Sequence, residues 1–316
     1  MAGGEMSNNP YAIIIPTYNA GDLFVDVLDG LEKQSMAPAQ VIVVDSGSSD
    51  RTVDLATERG LDVYCIPNEE FDHGGTRNYA LTLLHAGIRY VVFLTQDAVL
   101  ASPDSNINLL ASFSCEKVVA AYGRQLPRHN AKPFEAHARH YNYPAVDRLQ
   151  CVSIKGSKPS IKTIFISNSY AAYDVGLLKE LGTFPSPAVM GEDSLLAAKA
   201  IQLGFGVFYN ASACVFHSHD YTVGQEFKRY FDTGHMHALN SVVLSEFRRA
   251  EGEGYKFVLS EMKYMIGRQD IVRVLMLPLL VGARYLGYRC GHLAMQVPKR
   301  LRLRFGMNKA YWKRFG

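Results

Sequence analysis

The chain has 316 residues, 48% of them apolar and 20% charged, which is enough to bury a sizeable core and excludes the disordered and collagen-like classes. Its net charge of +3 is unevenly spread, because residues 271–316 hold ten Lys or Arg and no acid, leaving 23 basic against 30 acidic residues before them. An acidic body repels nucleic acid, and no nucleic-acid motif is present, so the basic end is expected to meet another partner.

Residues 1–10 lack an apolar run behind a basic start and are expected to be a flexible lead with no secretory signal. From Tyr11 onward, strand and helix signals alternate. YAIIIPTYN is a β-rich run that ends at Pro16, and GDLFVDVLDGLEKQ sets Leu23, Val27, Leu28 and Leu31 at helical spacing. VIVVDSGSSD is a second buried strand ending at Asp45. DRTVDLATERG predicts a helix with Asp50 at its start and Gly60 at its end, and LDVYCIP predicts a third strand. The helix of TRNYALTLLHAG then leads to the strand YVVFLT. Strands joined by crossover helices imply a parallel sheet covered on both faces, with ligands held beyond the carboxyl ends of its strands. Those ends are residues 16–19, Asp45 to Gly47, residues 68–75 and Thr95-Gln96-Asp97.

Further along, KVVAAYGRQ, TIFISNSYAAY and VFYNASACVFHSH predict strands, and GEDSLLAAKAIQLG predicts a helix closed by Gly204. From about Gly224 the pattern is helical to the end. Its longest uncharged apolar stretch, Val274 to Ala283, is bracketed by Arg273 and Arg284, interrupted by Pro278, and too short to span a bilayer. Five cysteines lie far apart with no C-x-x-C pair, as expected of reduced thiols in a cytosolic protein.

Several residues could carry chemistry. Asp97, just past a buried strand, suits either a turn or a hard cation. Glu192 and Asp193 open a helix, where acids stabilise the dipole, yet one of them could act as a general base for a hydroxyl. His217 and His219, two apart at a strand end, can face one way as metal ligands or as hydrogen-bonded structural groups. In NEEFDHGGTRN, Gly74 and Gly75 would allow close backbone approach to a ligand, and Arg77 could meet a diphosphate. Neither a P-loop nor a dinucleotide fingerprint occurs.

The set IPTYN, VVDSGSSDRT, GTRN, FLTQDA and GED with a downstream His resembles the family 2 inverting glycosyltransferases. The wording FDHGGTRN, FLTQDA and SNSYAAYD is most similar to the bacterial rhamnosyltransferases that build O-antigen and other surface polysaccharides. The resemblance implies an α/β GT-A fold, a mostly parallel Rossmann-like sheet flanked by helices, over residues 11–222. Its nucleotide half would be about 11–100 and its acceptor half 101–222, with residues 223–316 a basic helical extension that associates with membrane or with another copy.

The implied activity is transfer of L-rhamnose from dTDP-L-rhamnose to a hydroxyl of a lipid-linked saccharide. A UDP-hexose donor, or a non-catalytic nucleotide-sugar-binding module, are the other readings. By the same resemblance Asp193 is the base and Glu192 its support. Pro16, Thr17, Tyr18, Asn19, Asp45, Gly74, Gly75, Arg77, Gln96 and Asp97 line the donor site. Asp97 and His217, with His219 a second candidate, hold Mg2+ or Mn2+. Thr95 stands where the family's D-x-D motif has its first acid. The basic amphipathic end with Trp312 fits a surface anchor, which places the enzyme in the cytoplasm on the inner face of the cell membrane.

Overall fold

In the computed structural model, which describes residues 10–151, 159–247 and 251–316, one nine-stranded sheet organises the chain. Residues 1–9 of the lead expected at 1–10 lie outside the described residues, as do residues 152–158 and 248–250. The strands are β1 (Tyr11–Thr17), β2 (Gln40–Asp45), β3 (Asp62–Cys65), β4 (Tyr90–Leu94), β5 (Val99–Leu100), β6 (Val118–Leu126), β7 (Arg148–Gln150), β8 (Tyr170–Asp174) and β9 (Gly206–Phe216). Between them run α1 (Leu23–Glu32), α2 (Thr52–Glu58), α3 (His73–Thr82), α4 (Ser105–Ala111), α5 (Pro133–Asn142), α6 (Val175–Glu180) and α7 (Glu192–Gln202). The chain then continues as α8 (Val223–Leu239), α9 (Ser241–Leu244), α10 (Glu251–Gly267), α11 (Ile271–His292), α12 (Lys299–Phe305) and α13 (Lys309–Arg314).

The sheet order is β3-β2-β1-β4-β8-β6-β9-β5, with β7 added on β9. The first four strands pair in parallel, with the continuous apolar runs of β1, β2 and β4 inside and β3 at the edge. Neighbouring residues serve opposite faces: Ile13 and Ile15 pack with Phe24 and Val27 of α1, whereas Ile14 packs with Ala80 and Leu81 of α3. β8 then inserts antiparallel between β4 and β6, so the two expected halves share one sheet.

Three expectations change. Of TIFISNSYAAY only residues 170–173 form strand. Residues 163–167 are irregular, and Gln150 Nε2 donates to the carbonyls of Lys162, Thr163 and Phe165, which satisfies them without a ladder. The apolar run around Pro278 is longer as a helix than its bracketing charges suggest, because α11 runs for 22 residues through Arg273, Pro278 and Arg284. By length and composition alone it could cross a membrane. Trp312 is a core residue instead of a surface anchor: it is fully buried against Phe231 and His235, and its Nε1 donates to Asp232 at 2.7 Å. Asp232 also accepts from the backbone N–H groups of Met307 and Asn308, which straps the chain end onto α8.

Candidate active site

The strand order reverses direction between β1 and β4, the switch point at which an open α/β sheet leaves a crevice beyond its carboxyl ends. Two side-chain bonds close that crevice at its floor. Gln96 Oε1 accepts from Tyr18 N at 2.7 Å, and Gln96 Nε2 donates to Tyr18 O at 3.1 Å. Beside them Asp45 is buried, its oxygens taken by Thr17 Oγ1 and Ser48 Oγ and by the N–H groups of Gly47 and Ser48. Asn19, at positive φ, donates from its N–H to Ser48 Oγ and accepts from Ser49 N. Residues 16–19, 45–49 and 96 are therefore one braced rim, with Tyr18 half exposed upon it.

Asp97, His217 and His219 converge beyond β4 and β9. His217 Nε2 lies 3.4 Å from Asp97 Oδ1 and His219 Nε2 3.6 Å from Asp97 Oδ2, and the ligand atoms of the three lie within 4.8 Å of one another. Gln125 Oε1 accepts from Arg139 Nη1 and lies 2.9 Å from His217 Nδ1, so Nδ1 must carry a proton and Nε2 points at the carboxylate. A cation placed between those two atoms would meet both of them. Burial, and then the charge of His217, push His219 down to about 4, so this ring is a neutral imidazole with a free lone pair at neutral pH. Burial works to raise the Asp97 carboxyl, but the hydrogen bond and charge of His217, and His219 once it is protonated in acid, hold it well below the usual range. Two imidazoles and a carboxylate suit a divalent cation, and the second histidine would supply the protein ligand that Thr95 withholds.

Glu192 and Asp193 open α7 behind Gly191, whose φ of +74° turns the chain into the helix. Asn168 clamps both acids: its Nδ2 donates to Glu192 Oε1 at 3.0 Å and its N–H to Asp193 Oδ2 at 3.0 Å, and its own Oδ1 accepts from Tyr173. Arg77 Nη1 pairs with Glu192 Oε1 at 3.1 Å. Burial favours a protonated Glu192, yet Arg77, His73 and Asn168 outweigh it and hold the group ionised. Burial and the Glu192 charge together push Asp193 up to about 7. One acid is thus locked as an anion while its neighbour is poised to exchange a proton near neutrality.

The two clusters are mechanically joined. Gln125, which orients His217, donates from Nε2 to Ser167 Oγ one residue before Asn168, and Thr95 N donates to Ser169 O. Gln125 and Thr95 are thus both tied to the loop at 167–169, and Asp193 is held from that same loop through Asn168.

Some expected residues sit elsewhere. Gly74 and Gly75 are in the first turn of α3; a Cβ on Gly74 would lie 1.9 Å from the Pro185 carbonyl oxygen, so the glycine permits helix against loop. Asp72 caps this turn, accepting from Gly75 N, Ser186 Oγ and Ala188 N, and thereby ties α3 to the segment before Gly191. Arg77 is 4% exposed, and its Nη1 meets both Glu192 and the His73 carbonyl, which sets the guanidinium as a buried brace against the acid pair. The arginine at the crevice is Arg128, a quarter exposed, whose Nη2 donates to the Asp97 carbonyl at 2.6 Å. Arg128 and Gln125 stand in no motif of the sequence, whereas Asp72 lies inside the NEEFDHGGTRN run. Asn168 lies inside the SNSYAAYD run, the one signal that marked it.

A family model for glycosyl transferase family 2 matches residues 12–182. The chain is 42% identical over 304 residues to the O-antigen chain rhamnosyltransferase RfbN of Salmonella typhimurium, covering 95% of each protein. It is 40% identical over 306 residues to the O-antigen chain rhamnosyltransferase WbaN of Salmonella anatum, covering 96% of this chain and 95% of that protein. Among solved structures, the mannosyltransferase PcManGT of Pyrobaculum calidifontis, in complex with GDP-Man and Mn2+, superposes with a TM-score of 0.58 at 17% identity. That match covers 97% of this chain and 86% of the other. Residues 1–349 of TarS of S. aureus, in complex with UDP-GlcNAc, give a TM-score of 0.51 at 17% identity over 91% of both chains. Both likenesses bear on the fold, a mixed sheet flanked by helices of the GT-A type.

Proposed function

The chain belongs to glycosyl transferase family 2, and we propose that it is an inverting rhamnosyltransferase of O-antigen synthesis that uses dTDP-L-rhamnose and a lipid-linked saccharide acceptor. The two O-antigen rhamnosyltransferases similar to it over nearly its full length support the transferred sugar and the pathway. The mechanism is carried by one observation, the geometry of the acid pair that opens α7: Glu192 is paired with Arg77 at 3.1 Å, whereas Asp193 accepts from the backbone N–H groups of Asn168 and Ser194.

Asp193, raised to about 7, is matched to take the proton of an acceptor hydroxyl as that oxygen attacks the anomeric carbon. Glu192 stays ionised through Arg77 and keeps that basicity high. Attack from the face opposite the leaving nucleotide inverts the centre, so a β-linked donor gives an α-L-rhamnoside. On the other side of the crevice Asp97, His217 and His219 would hold Mn2+ or Mg2+, which when bound neutralises charge on the donor diphosphate. Arg128 stands beside Asp97 to meet the same phosphates. Thr17, Asp45 and the Tyr18-Gln96 pair shape the pocket for base and ribose.

The acceptor is presented at the inner face of the cell membrane, where a cytoplasmic enzyme with a basic end binds peripherally. Nucleotide release over a panel of dTDP-L-rhamnose, UDP-glucose, UDP-galactose and GDP-mannose, with extracted lipid-linked saccharides, tests the reading. Turnover of dTDP-L-rhamnose alone is expected. Turnover of a different donor in its place removes the rhamnose assignment.

A further inference from the structure

α11 passes a length and composition test for crossing a bilayer, yet its inner face forbids it. That face is welded to α8: a Cβ on Gly291 would lie 1.9 Å from the Phe231 carbonyl oxygen, and one on Gly287 2.3 Å from that of Phe227. Midway along it, Arg284 is buried between Glu226 at 3.2 Å and Glu261 at 2.9 Å, and Glu261 is 0% exposed. A spanning α11 would carry this ion triad, and the charged helix α8 packed on it, into hydrocarbon.

The outer face is the opposite in character. Ile271, Val272, Leu275, Met276 and Leu279, together with Ile266 at the end of α10, are 42–75% exposed, and Leu286 and Leu293 continue the stripe. Arg268, Arg289, Lys299, Arg300 and Arg304 stand exposed on and beyond the ends of the stripe, and no acid follows Asp270. A second copy laid on this face would set like charges against like, whereas an anionic lipid surface complements them.

We propose that the outward face of α11 with Ile266, and not the chain end around Trp312, is the surface by which the protein lies on an anionic membrane without crossing it. The apolar side chains enter the acyl boundary and the arginines and lysines meet the headgroups. This inference rests on the peripheral placement proposed above and names the surface responsible for it.

The test uses the full chain and needs no donor, so its outcome is independent of the rhamnose assignment. Co-sedimentation is measured with vesicles of phosphatidylcholine, pure or carrying about a third phosphatidylglycerol. The wild type is expected to bind the anionic vesicles, and the double change Leu275→Glu, Leu279→Glu to weaken that binding at least ~10-fold. Turnover on a water-soluble acceptor and the thermal midpoint should be unchanged, which shows the variant folded. A conservative pair, Leu275→Met and Leu279→Met, should bind as wild type. Equal binding by wild type and the glutamate variant overturns the proposal. So does a wild type that ignores both vesicles, including the case where light scattering finds a dimer that the glutamates dissociate.

Discussion

Replacing Arg77 by Met separates two roles that the same residue could have. Arg77 and Glu192 are each 4% exposed and paired at 3.1 Å, so removing the guanidinium leaves a buried carboxylate whose remaining side-chain donor is Asn168. Breaking a buried pair on one side costs about 3–5 kcal/mol, far beyond the half kcal/mol of an ordinary surface change. Adding Glu192→Gln removes the stranded charge, and the double variant should recover more than half of that loss. Urea unfolding at pH 7 of the wild type, both single variants and the double variant gives the coupling directly, and nucleotide release gives the donor KM for each. A brace predicts a large coupling energy and a fall in kcat. If Arg77→Met instead remained within ~1 kcal/mol of wild type while donor KM rose tenfold or more, Arg77 would be a donor contact and the brace would be refuted.

Other expectations follow from the same geometry. With Asp193 titrating near 7, kcat/KM should fall as pH drops below that value, and in Glu192→Gln the acid limb should move to lower pH because the neighbouring charge is gone. The native Asp193 keeps its proton up to about 7 and the unfolded chain loses it near the ordinary aspartate value. Its contribution to stability therefore declines as pH rises between those values, and at pH 8 Asp193→Asn should be more stable than wild type by up to a few kcal/mol while losing turnover. His217→Ala and His219→Ala should each weaken Mn2+ binding at least ~10-fold by paramagnetic resonance titration; an unaffected His219→Ala would leave that ring outside the cation site. Asp232→Ala strips three donors of their acceptor and should cost about 2–4 kcal/mol in denaturant unfolding, with the chain beyond residue 306 cut faster by trypsin.

The parallel half of the sheet was readable because β1, β2 and β4 are buried on both faces and so are continuously apolar. The acid pair was readable for a local reason too, since it opens an amphipathic helix after a glycine. What escaped was decided by distant parts of the chain. Nothing in residues 163–173 shows that one half pairs with β4 and β6 while the other is satisfied by Gln150. The i, i+2 spacing brings His217 and His219 together, but Gln125, 92 residues earlier, fixes the proton that turns Nε2 toward Asp97. Arg77 looks like a surface group by its residue type, and Trp312 by its basic neighbours. They are buried because Glu192 and Asp232, far along the chain, supply partners that make burial affordable.

The central claim is inverting rhamnosyl transfer with Asp193 as base, and the anomeric configuration of the product tests it most directly. With dTDP-β-L-rhamnose and a lipid-linked saccharide extract, proton resonance of the purified product should show an α-L-rhamnosyl linkage. Asp193→Asn should form no product while still binding dTDP-L-rhamnose. A β-linked product, or an Asp193→Asn variant that turns over at the wild-type rate, would contradict the account.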